Sequence, residues 1–316
     1  SRNRITQLPS ALFELPADTS ATFDLSGNPL SRATLEQVKS YYQRTGRYWE
    51  VDALAIDIQR VNTLFPDFSV NEVNRFLFGL PGTIEIGQIE LARLEVEYAD
   101  LSDGLDTWAR QAPAPEEQAR RVEFKEELQA CWRREGALDT SNPQAISTFT
   151  VESPQPVTGT FPSLDSGVFR HVSSLHLKGA QGPFPLQSPL FFRGFPTLNH
   201  LFIEGYVMGD IPASVWDLPQ LSSLRLPRCA LTLSTESAAS LTTLSELATL
   251  DLSHNTALGQ LPDFSALPRL TSIELEDTGL TAIPDGLLKA VERQRVNLSN
   301  NLITQIPDSA FRLPDS

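Results

Sequence analysis

Apolar residues recur in a fixed pattern over the second half of the chain, and the clearest example is the stretch from Leu247 to Leu258, LATLDLSHNTAL. The stretch reads L-x-x-L-x-L-x-x-N, and a further apolar residue follows the asparagine. Side chains alternate between the two faces of a strand, so the spacing predicts a short strand that buries Leu250 and Leu252. Asn255 is then expected to close a turn at the end of that strand.

The same frame recurs on both sides of this stretch. The second strand leucine, or its equivalent, falls at Leu177, Ile203, Leu226, Leu252, Leu275 and Leu298. The spacings of 26, 23, 26, 23 and 23 residues lie within the range of leucine-rich repeats. Because six units follow in phase, we predict an α/β fold, in which a leucine-rich-repeat solenoid, or horseshoe, covers residues 141–316.

The first 30 residues carry the same pattern. Asn3–Pro16, NRITQLPSALFELP, matches Asn301–Pro314, NLITQIPDSAFRLP, in register. The chain therefore begins and ends at the same phase of the repeat. We predict a repeat stub over residues 1–30 and expect the sequence to be cut from a longer array.

Helical patterns replace the repeat over residues 31–140, which we predict to be an all-helical segment. A helix is expected after Ser31, another over Ala53–Phe65, and a third after Ser69, which forms a capping box with Glu72.

The most regular helical pattern is a seam whose residues alternate spacings of three and four: Leu91, Leu94, Tyr98, Leu101, Leu105 and Trp108. The prolines of Ala112–Pro115 are expected to end this helix. A second helix over Glu116–Arg134 places Phe124, Leu128 and Cys131 on one face. Two helices joined by a short break predict an antiparallel helical hairpin. The main array then starts after a polar, proline-rich stretch, Ser141–Val157, within which Phe149 and Val151 are expected to form its first strand.

Composition limits the possible functions. The net charge is −14 and the pI is near 4.7, which argues against a nucleic-acid surface. The chain contains no apolar run of the roughly 20 residues that a membrane span needs. Two cysteines are too few for a disulfide framework. We therefore expect a protein partner, with no nucleic acid and no membrane span.

The two cysteines, Cys131 and Cys229, are the candidate nucleophiles of the chain. Cys229 takes the place of Asn255 in its own repeat, so it is expected to be a structural residue at an inward-facing turn. Cys131 is followed by two arginines, which could lower the pKa of its thiol. Its phase with Phe124 and Leu128 instead favours a place in the core of the hairpin.

No other pattern predicts chemistry. The four histidines lack the spacing of a zinc site, and no Ser-His-Asp order, phosphate-binding loop or dinucleotide fingerprint occurs. We therefore predict no catalytic residue, no metal site and no cofactor for this chain.

The exposed side of the predicted strands is the candidate partner-binding surface, because the concave face of a solenoid is usually its binding face. The residues expected there are His176, Lys178, Phe202, Glu204, Arg225, Arg228, Asp251, Glu274 and Glu276, with Asp277 beside the last. The series begins basic and aromatic and ends acidic. An exposed phenylalanine beside arginines has the composition of an interface anchor. The alternative is an ordinary solvated strand face.

Two segments resemble a known family. Leu25–Leu35, LSGNPLSRATL, resembles the junction between repeats and helices in bacterial leucine-rich-repeat effectors of the novel E3 ubiquitin ligase class. Arg60–Leu80 and the long helix at Ile86–Trp108 resemble the helical region of very large toxins of that class. The resemblance implies secretion into a host cell and a separate ligase domain with a Cys-x-Asp nucleophile. Neither cysteine of this chain matches that motif, because Trp-Arg follows Cys131 and Ala-Leu follows Cys229.

The expected function is therefore recognition of a protein, either a host protein or the parent's own ligase domain, by a non-catalytic region of a secreted bacterial effector. Two alternatives stay open. The helical segment could hold a transferase nucleophile at Cys131, or the helices could be a structural spacer between two arrays.

Overall fold

The computed structural model describes residues 3–16, 23–133, 148–152, 157, 159–179, 182–185, 190–287 and 295–306. The chain forms a mixed α/β structure with two compact units, Ser1–Asp100 and Leu101–Ser316. The division falls inside a helix of 27 residues. The domain bounds at residues 30 and 140 stay a prediction, and the entry segment Ser141–Val157 lies largely outside the described residues.

The described helices are α1 (Arg32–Thr45), α2 (Ala55–Leu64), α3 (Val70–Gly79), α4 (Ile84–Arg110), α5 (Pro115–Arg133) and α6 (Thr235–Leu241). The described strands are β1 (Thr148–Glu152), β2 (Ser174–Lys178), β3 (His200–Glu204), β4 (Ser223–Arg225), β5 (Thr249–Asp251), β6 (Ser272–Glu274) and β7 (Arg295–Asn297). Among the described helices, none combines the length and apolar character that a bilayer crossing demands.

The seven strands form one parallel sheet in the second unit, and their order in the sheet follows their order in the chain. The register is the one that the sequence frame predicts. Leu177 lies opposite Ile203, and Leu250 lies opposite Ile273. The frame residues from Leu177 to Leu275 are fully buried. Phe149 and Val151 lie in β1 and are buried, as predicted.

The repeat that runs from β4 to β5 is one of the two repeats that span 26 residues rather than 23. It contains the short helix α6. Ser234 caps this helix, since its side chain accepts a hydrogen bond from the Ser237 N–H. The longer spacing therefore accommodates a turn of helix while the strand register is kept.

The predicted starts of α1 and α3 are confirmed, whereas α2 begins at Ala55 rather than at Ala53. Ser31 accepts a hydrogen bond from the Thr34 N–H at the start of α1. Ser69 and Glu72 form both bonds of the capping box at the start of α3. Pro115, predicted to lie in the break between the two helices, instead occupies the first position of α5, where the missing N–H costs nothing.

Helices α4 and α5 pair in opposite directions within the second unit. Gln129 donates to Ser102 at 3.1 Å, and Lys125 forms an ion pair with Asp106 at 2.7 Å. Arg121 closes the pair near the turn, where it donates to the Trp108 carbonyl at 2.8 Å. Residue numbers thus rise along α4 as they fall along α5, which is the antiparallel hairpin that the sequence predicts.

The prediction for the buried face of α5 was wrong at its last residue. The buried stripe of α5 ends at Trp132, which is 5% exposed, whereas Cys131 is only half-buried. Cys131 lies three residues after Leu128 and Trp132 lies four residues after it, and either spacing can continue the buried stripe of a helix. The larger apolar surface of the indole decides which of the two residues turns inward.

The repeat pattern of the first unit extends further than residue 30. Asp24 pairs in parallel with Glu50, 26 residues later, and the Leu25 N–H donates to the Glu50 carbonyl at 2.8 Å. Trp49 and Val51 are buried on either side of Glu50, as strand leucines would be. Parallel backbone pairing therefore continues to residue 50 in the first unit, and helix α1 lies between the two paired stretches.

A buried lysine connects α1 with the end of α3 in the first unit. The Lys39 ammonium donates to the carbonyls of Leu77 and Leu80 at 2.9 and 2.6 Å. Its side chain is buried, and burial lowers the pKa of Lys39 to about 8 although Glu36 opposes the shift. The last carbonyls of a helix lack partners within the helix, and Lys39 supplies a donor for them.

Candidate protein-interaction surface

The parallel register brings one residue from each of the strands β2 to β7 into a line across the sheet of the second unit. This line, the central row, consists of His176, Phe202, Arg225, Asp251, Glu274 and Asn297. From His176 to Glu274, each lies between two buried apolar residues and faces away from the core. Asn297 continues the line between the exposed Val296 and the half-buried Leu298. Neighbouring strands lie about 4.8 Å apart, so adjacent members of the row can contact each other.

The remaining predicted residues lie beside the central row. Lys178 and Glu204 are opposite each other at the ends of β2 and β3. Arg228 follows β4 and forms an ion pair with Glu204 at 2.6 Å. Glu276 follows β6 and accepts a hydrogen bond from the central-row residue Asn297 at 3.3 Å. The structure thus brings the nine predicted partner-binding residues together along one side of the sheet.

Phe202 is held between its two neighbours in the central row. The His176 ring meets it edge-on with centroids 5.6 Å apart, and the Arg225 guanidinium lies 5.3 Å from the centre of the Phe202 ring. Ser174 in turn lies within hydrogen-bond distance of the His176 ring, at 3.1 Å. Phe202 is accordingly half-buried rather than freely exposed, and its orientation is fixed by contacts within the protein.

Asp251 fixes the position of Arg225. Both Nε and one terminal nitrogen of Arg225 donate to the same Asp251 oxygen, at 3.3 and 3.2 Å. The other Asp251 oxygen accepts from the backbone and hydroxyl of Ser253, at 3.1 and 2.6 Å. Asp251 is only 5% exposed, whereas half of the Arg225 side chain remains exposed. Of the two residues, Arg225 is therefore the one that a partner can reach.

The acidic end of the surface includes residues that the sequence reasoning missed. Glu274 forms an ion pair with Arg295 at 3.2 Å, and Glu276 accepts from Asn300 at 2.8 Å. Arg295 and Asn300 belong to the repeat of Leu298, the last one that the frame marks. Counting exposed positions one repeat further would have included them.

The turns after the strands hold non-glycine residues in a strained backbone conformation. Arg228, His254, Asp277 and Asn300 occupy equivalent turn positions with φ between 53° and 60°. Few non-glycine residues adopt positive φ, so this recurrence fixes the direction in which each side chain leaves the turn. Two of these side chains contact each other, since the His254 Nδ1 atom lies 3.3 Å from an Asp277 carboxylate oxygen.

The residue after each of these turn positions anchors the backbone beneath the surface. Asn255 accepts from the N–H groups of Cys229 and Leu231 at 2.9 and 3.0 Å. It also donates to the carbonyls of Leu226 and Leu252 at 2.9 and 2.7 Å. The buried side-chain amide of Asn255 thus satisfies backbone groups of two successive repeats. In the following repeats, Asn301 likewise accepts from the Thr278 N–H and donates to the Leu275 carbonyl.

Cys229 takes the asparagine position in its repeat, as predicted. Its thiol donates to the carbonyl of Ile203 at 3.2 Å. Burial is the main cause that raises the pKa of Cys229 to about 12, so this thiol stays protonated at neutral pH. The His171 ring nitrogen lies 3.0 Å from the backbone carbonyl oxygen of Cys131.

Within the described residues, no cluster of three or more His, Cys, Asp and Glu side chains that could hold a metal ion is present.

No family model matches the chain, and no curated protein matches it. Among solved structures, the chain is similar to the Arabidopsis receptor kinase HAESA in a complex with the peptide hormone IDA and the co-receptor SERK1. The similarity has 20% sequence identity and a TM-score of 0.36, and it covers 51% of this chain and 32% of that chain. The aligned part is thus about a third of the receptor chain.

Proposed function

We propose that the second unit is a leucine-rich-repeat solenoid that recognises a protein partner through the central row and the charged residues beside it. The observation that carries this proposal is the register of β2 to β7. It aligns an aromatic residue, a half-exposed arginine and a set of carboxylates on one face of a rigid sheet.

Preorganisation supports this role for Phe202 and Arg225. Both side chains are already held by contacts within the protein, so a partner would immobilise little additional side-chain freedom. The guanidinium can accept a carboxylate of the partner while its contact with Asp251 is kept. Phe202 supplies apolar contact area next to that charge.

The acidic end is assigned a different role. Glu276 and Asp277 lie near the end of the row, where they add negative charge beside the Glu274–Arg295 pair. Exposed charges at the rim of an interface alter the association rate and its salt dependence more than the affinity. We assign them to steering of a partner with a complementary basic region.

The proposal includes no catalysis by this chain. Cys229 is buried in a structural hydrogen bond, and Cys131 is a half-buried residue beside the packed stripe of α5. A ubiquitin-transfer assay tests the transferase alternative. A reducible thioester on the purified chain that disappears in Cys131→Ala would overturn the non-catalytic assignment.

Membership of a secreted bacterial effector related to E3 ubiquitin ligases is proposed on the resemblance at Leu25–Leu35 and in the helical region. The same resemblance is the basis for the proposed secretion into a host cell. A Cys-x-Asp ligase domain in the same open reading frame would support this membership, and its absence would count against it.

Site-specific photo-cross-linking tests the location of the recognition surface. A benzoyl-phenylalanine replaces Phe202 in one protein and Val207 in a control, since Val207 is 50% exposed and lies outside the central row. Both proteins are irradiated in host lysate, and the cross-linked species are identified by mass spectrometry. We expect a partner to be captured from position 202 and not from position 207. Capture of the same protein from position 207 alone would contradict the proposal.

A further inference from the structure

The first half of α4 carries an apolar stripe that faces solvent. Ile86, Ile89 and Val96 are 49, 67 and 60% exposed, and Ala92 and Ala99 are also exposed. The spacings along the stripe are three, three, four and three residues, which keeps these side chains on one side of the helix. The stripe from Ile86 to Val96 is about 15 Å long at 1.5 Å per residue.

This stripe is distinct from the buried side of the same helix. Leu91 is fully buried, and Leu94 and Tyr98 are half-buried on the opposite side. A helix that packs on one side only would be expected to be polar on the other. Three large exposed aliphatic residues in line are therefore a feature of this surface that packing within the first unit does not explain.

The charges around the stripe favour one kind of occupant. Glu85 and Asp100 lie at its two ends, and both are exposed and form no ion pair with any residue that the structure describes. Along one flank, Arg93 bridges Glu90 and Glu97 at 2.8 and 2.5 Å. Near the other flank, Glu95 pairs with Arg60 at 2.8 Å. Five carboxylates thus surround the stripe against two guanidinium groups, both of which are already engaged.

We propose that this face of α4 docks an amphipathic helix of a partner protein, with aliphatic residues on one side and lysine or arginine at the flanks. A second helix can bury the stripe by seating its own aliphatic residues between Ile89 and Val96. Basic flanks would pair with Glu85 and Asp100. A second copy of this chain is disfavoured as the occupant, because it would place like charges against each other and the chain has a net charge of −14.

The test uses synthetic peptides as probes. One peptide has leucine at the a and d positions of three heptads and lysine at e and g, and its matched control has glutamate at e and g. Binding to the full chain is measured by fluorescence anisotropy. The variant Ile89→Ser/Val96→Ser removes apolar area and keeps every charge, and circular dichroism verifies that it is folded. Val207→Ser is the control at an exposed valine elsewhere.

We expect the lysine peptide to bind the wild type and Val207→Ser equally, and to bind the double variant at least about tenfold more weakly, or about 1.4 kcal/mol. The glutamate peptide should bind the wild type more weakly than the lysine peptide does. Equal binding of the lysine peptide to the wild type and the double variant would show nonspecific charge attraction and overturn the proposal. Concentration-dependent dimerisation in analytical ultracentrifugation that the double variant abolishes would also overturn it, because a second copy would then be the occupant.

Discussion

The sequence Asp-Leu-Ser-x-Asn occurs in both units, at Asp24–Asn28 and at Asp251–Asn255, and the two copies form the same local bonds. In each copy the aspartate accepts from the serine backbone and hydroxyl, at 3.0 and 2.6 Å in the first unit and 3.1 and 2.6 Å in the second. In each copy the asparagine donates to the leucine carbonyl, at 2.9 and 2.7 Å.

The surroundings of the two copies differ. Leu252 and Asn255 are fully buried, with paired strands on both sides, whereas Leu25 and Asn28 are half-buried beside the pairing of Asp24 with Glu50. The comparison separates two effects that are often confused. Nearby residues determine the geometry of the turn, whereas stacked neighbours determine how much free energy the turn contributes.

The largest difference is expected at the two asparagines. Asn255→Ala leaves the buried N–H groups of Cys229 and Leu231 without their acceptor. At about 1–3 kcal/mol each, we expect a loss of about 2–6 kcal/mol in the free energy of unfolding of the second unit. Asn28→Ala removes one acceptor at a half-buried site, for Ile5 at 3.2 Å, so its loss should be about 0.5–1.5 kcal/mol. Hydrogen exchange with mass spectrometry reports on each unit separately. Equal losses would refute the role assigned to the stacked neighbours.

The two leucines sharpen the comparison with apolar groups. Leu252→Ala removes a fully buried side chain and should cost about 2–5 kcal/mol, the range for core leucines. Leu25→Ala should cost about 1–2 kcal/mol, because less apolar surface is re-exposed. Urea unfolding of both variants checks this. A cost below about 0.5 kcal/mol for Leu252→Ala, the scale of ordinary surface changes, would mean that the repeat frame is wrong.

A smaller effect is expected at Lys39, whose buried amine donates to backbone carbonyls at the end of α3 in the first unit. Lys39→Met removes a donor from the end of α3, but Gln43 still donates to Leu80 at 2.6 Å. The cost at pH 7 should therefore be about 1 kcal/mol, the net value of one hydrogen bond. Urea unfolding at pH 7 measures it, and a loss above about 3 kcal/mol would mean that Lys39 has a larger role in packing than this.

The pH dependence of the same variant has a definite sign. The folded pKa of Lys39 is about 8 and the ordinary value is 10.5, so between these values the unfolded chain binds more protons. This group therefore makes folding more favourable as the pH rises from 8 to 10.5. The raised pKa of Cys229 changes stability with pH in the opposite direction. The difference in unfolding free energy between wild type and Lys39→Met removes the contribution of Cys229, because both proteins contain that residue. A difference that is constant over this pH range would contradict the lowered pKa.

Much of the second unit was predictable, because its order depends on residues close together in sequence. The spacing of Leu226, Leu252 and Leu275 predicts the strands and their register, and the asparagine positions follow from the same frame. The starts of α1 and α3 were equally local, since Ser31 and Ser69 act within one turn of themselves.

The features that the sequence reasoning missed depend on contacts between distant residues. Trp49 and Val51 serve as strand core residues, but their repeat contains a helix and no leucine pattern. The pairing of Arg225 with Asp251 requires both the register and the side-chain lengths. Lysine is seldom buried, so Lys39 gave no sign of its position before the end of α3 was seen beside it.

The central claim is that Phe202 anchors a protein partner on the central row. Titration calorimetry with the partner identified by cross-linking tests it directly, with wild type, Phe202→Ala and the exposed control Val207→Ala. We expect Phe202→Ala to lose about 2 kcal/mol or more of binding free energy, the scale of an interface anchor. Val207→Ala should match the wild type. Equal affinities for all three proteins would contradict the claim.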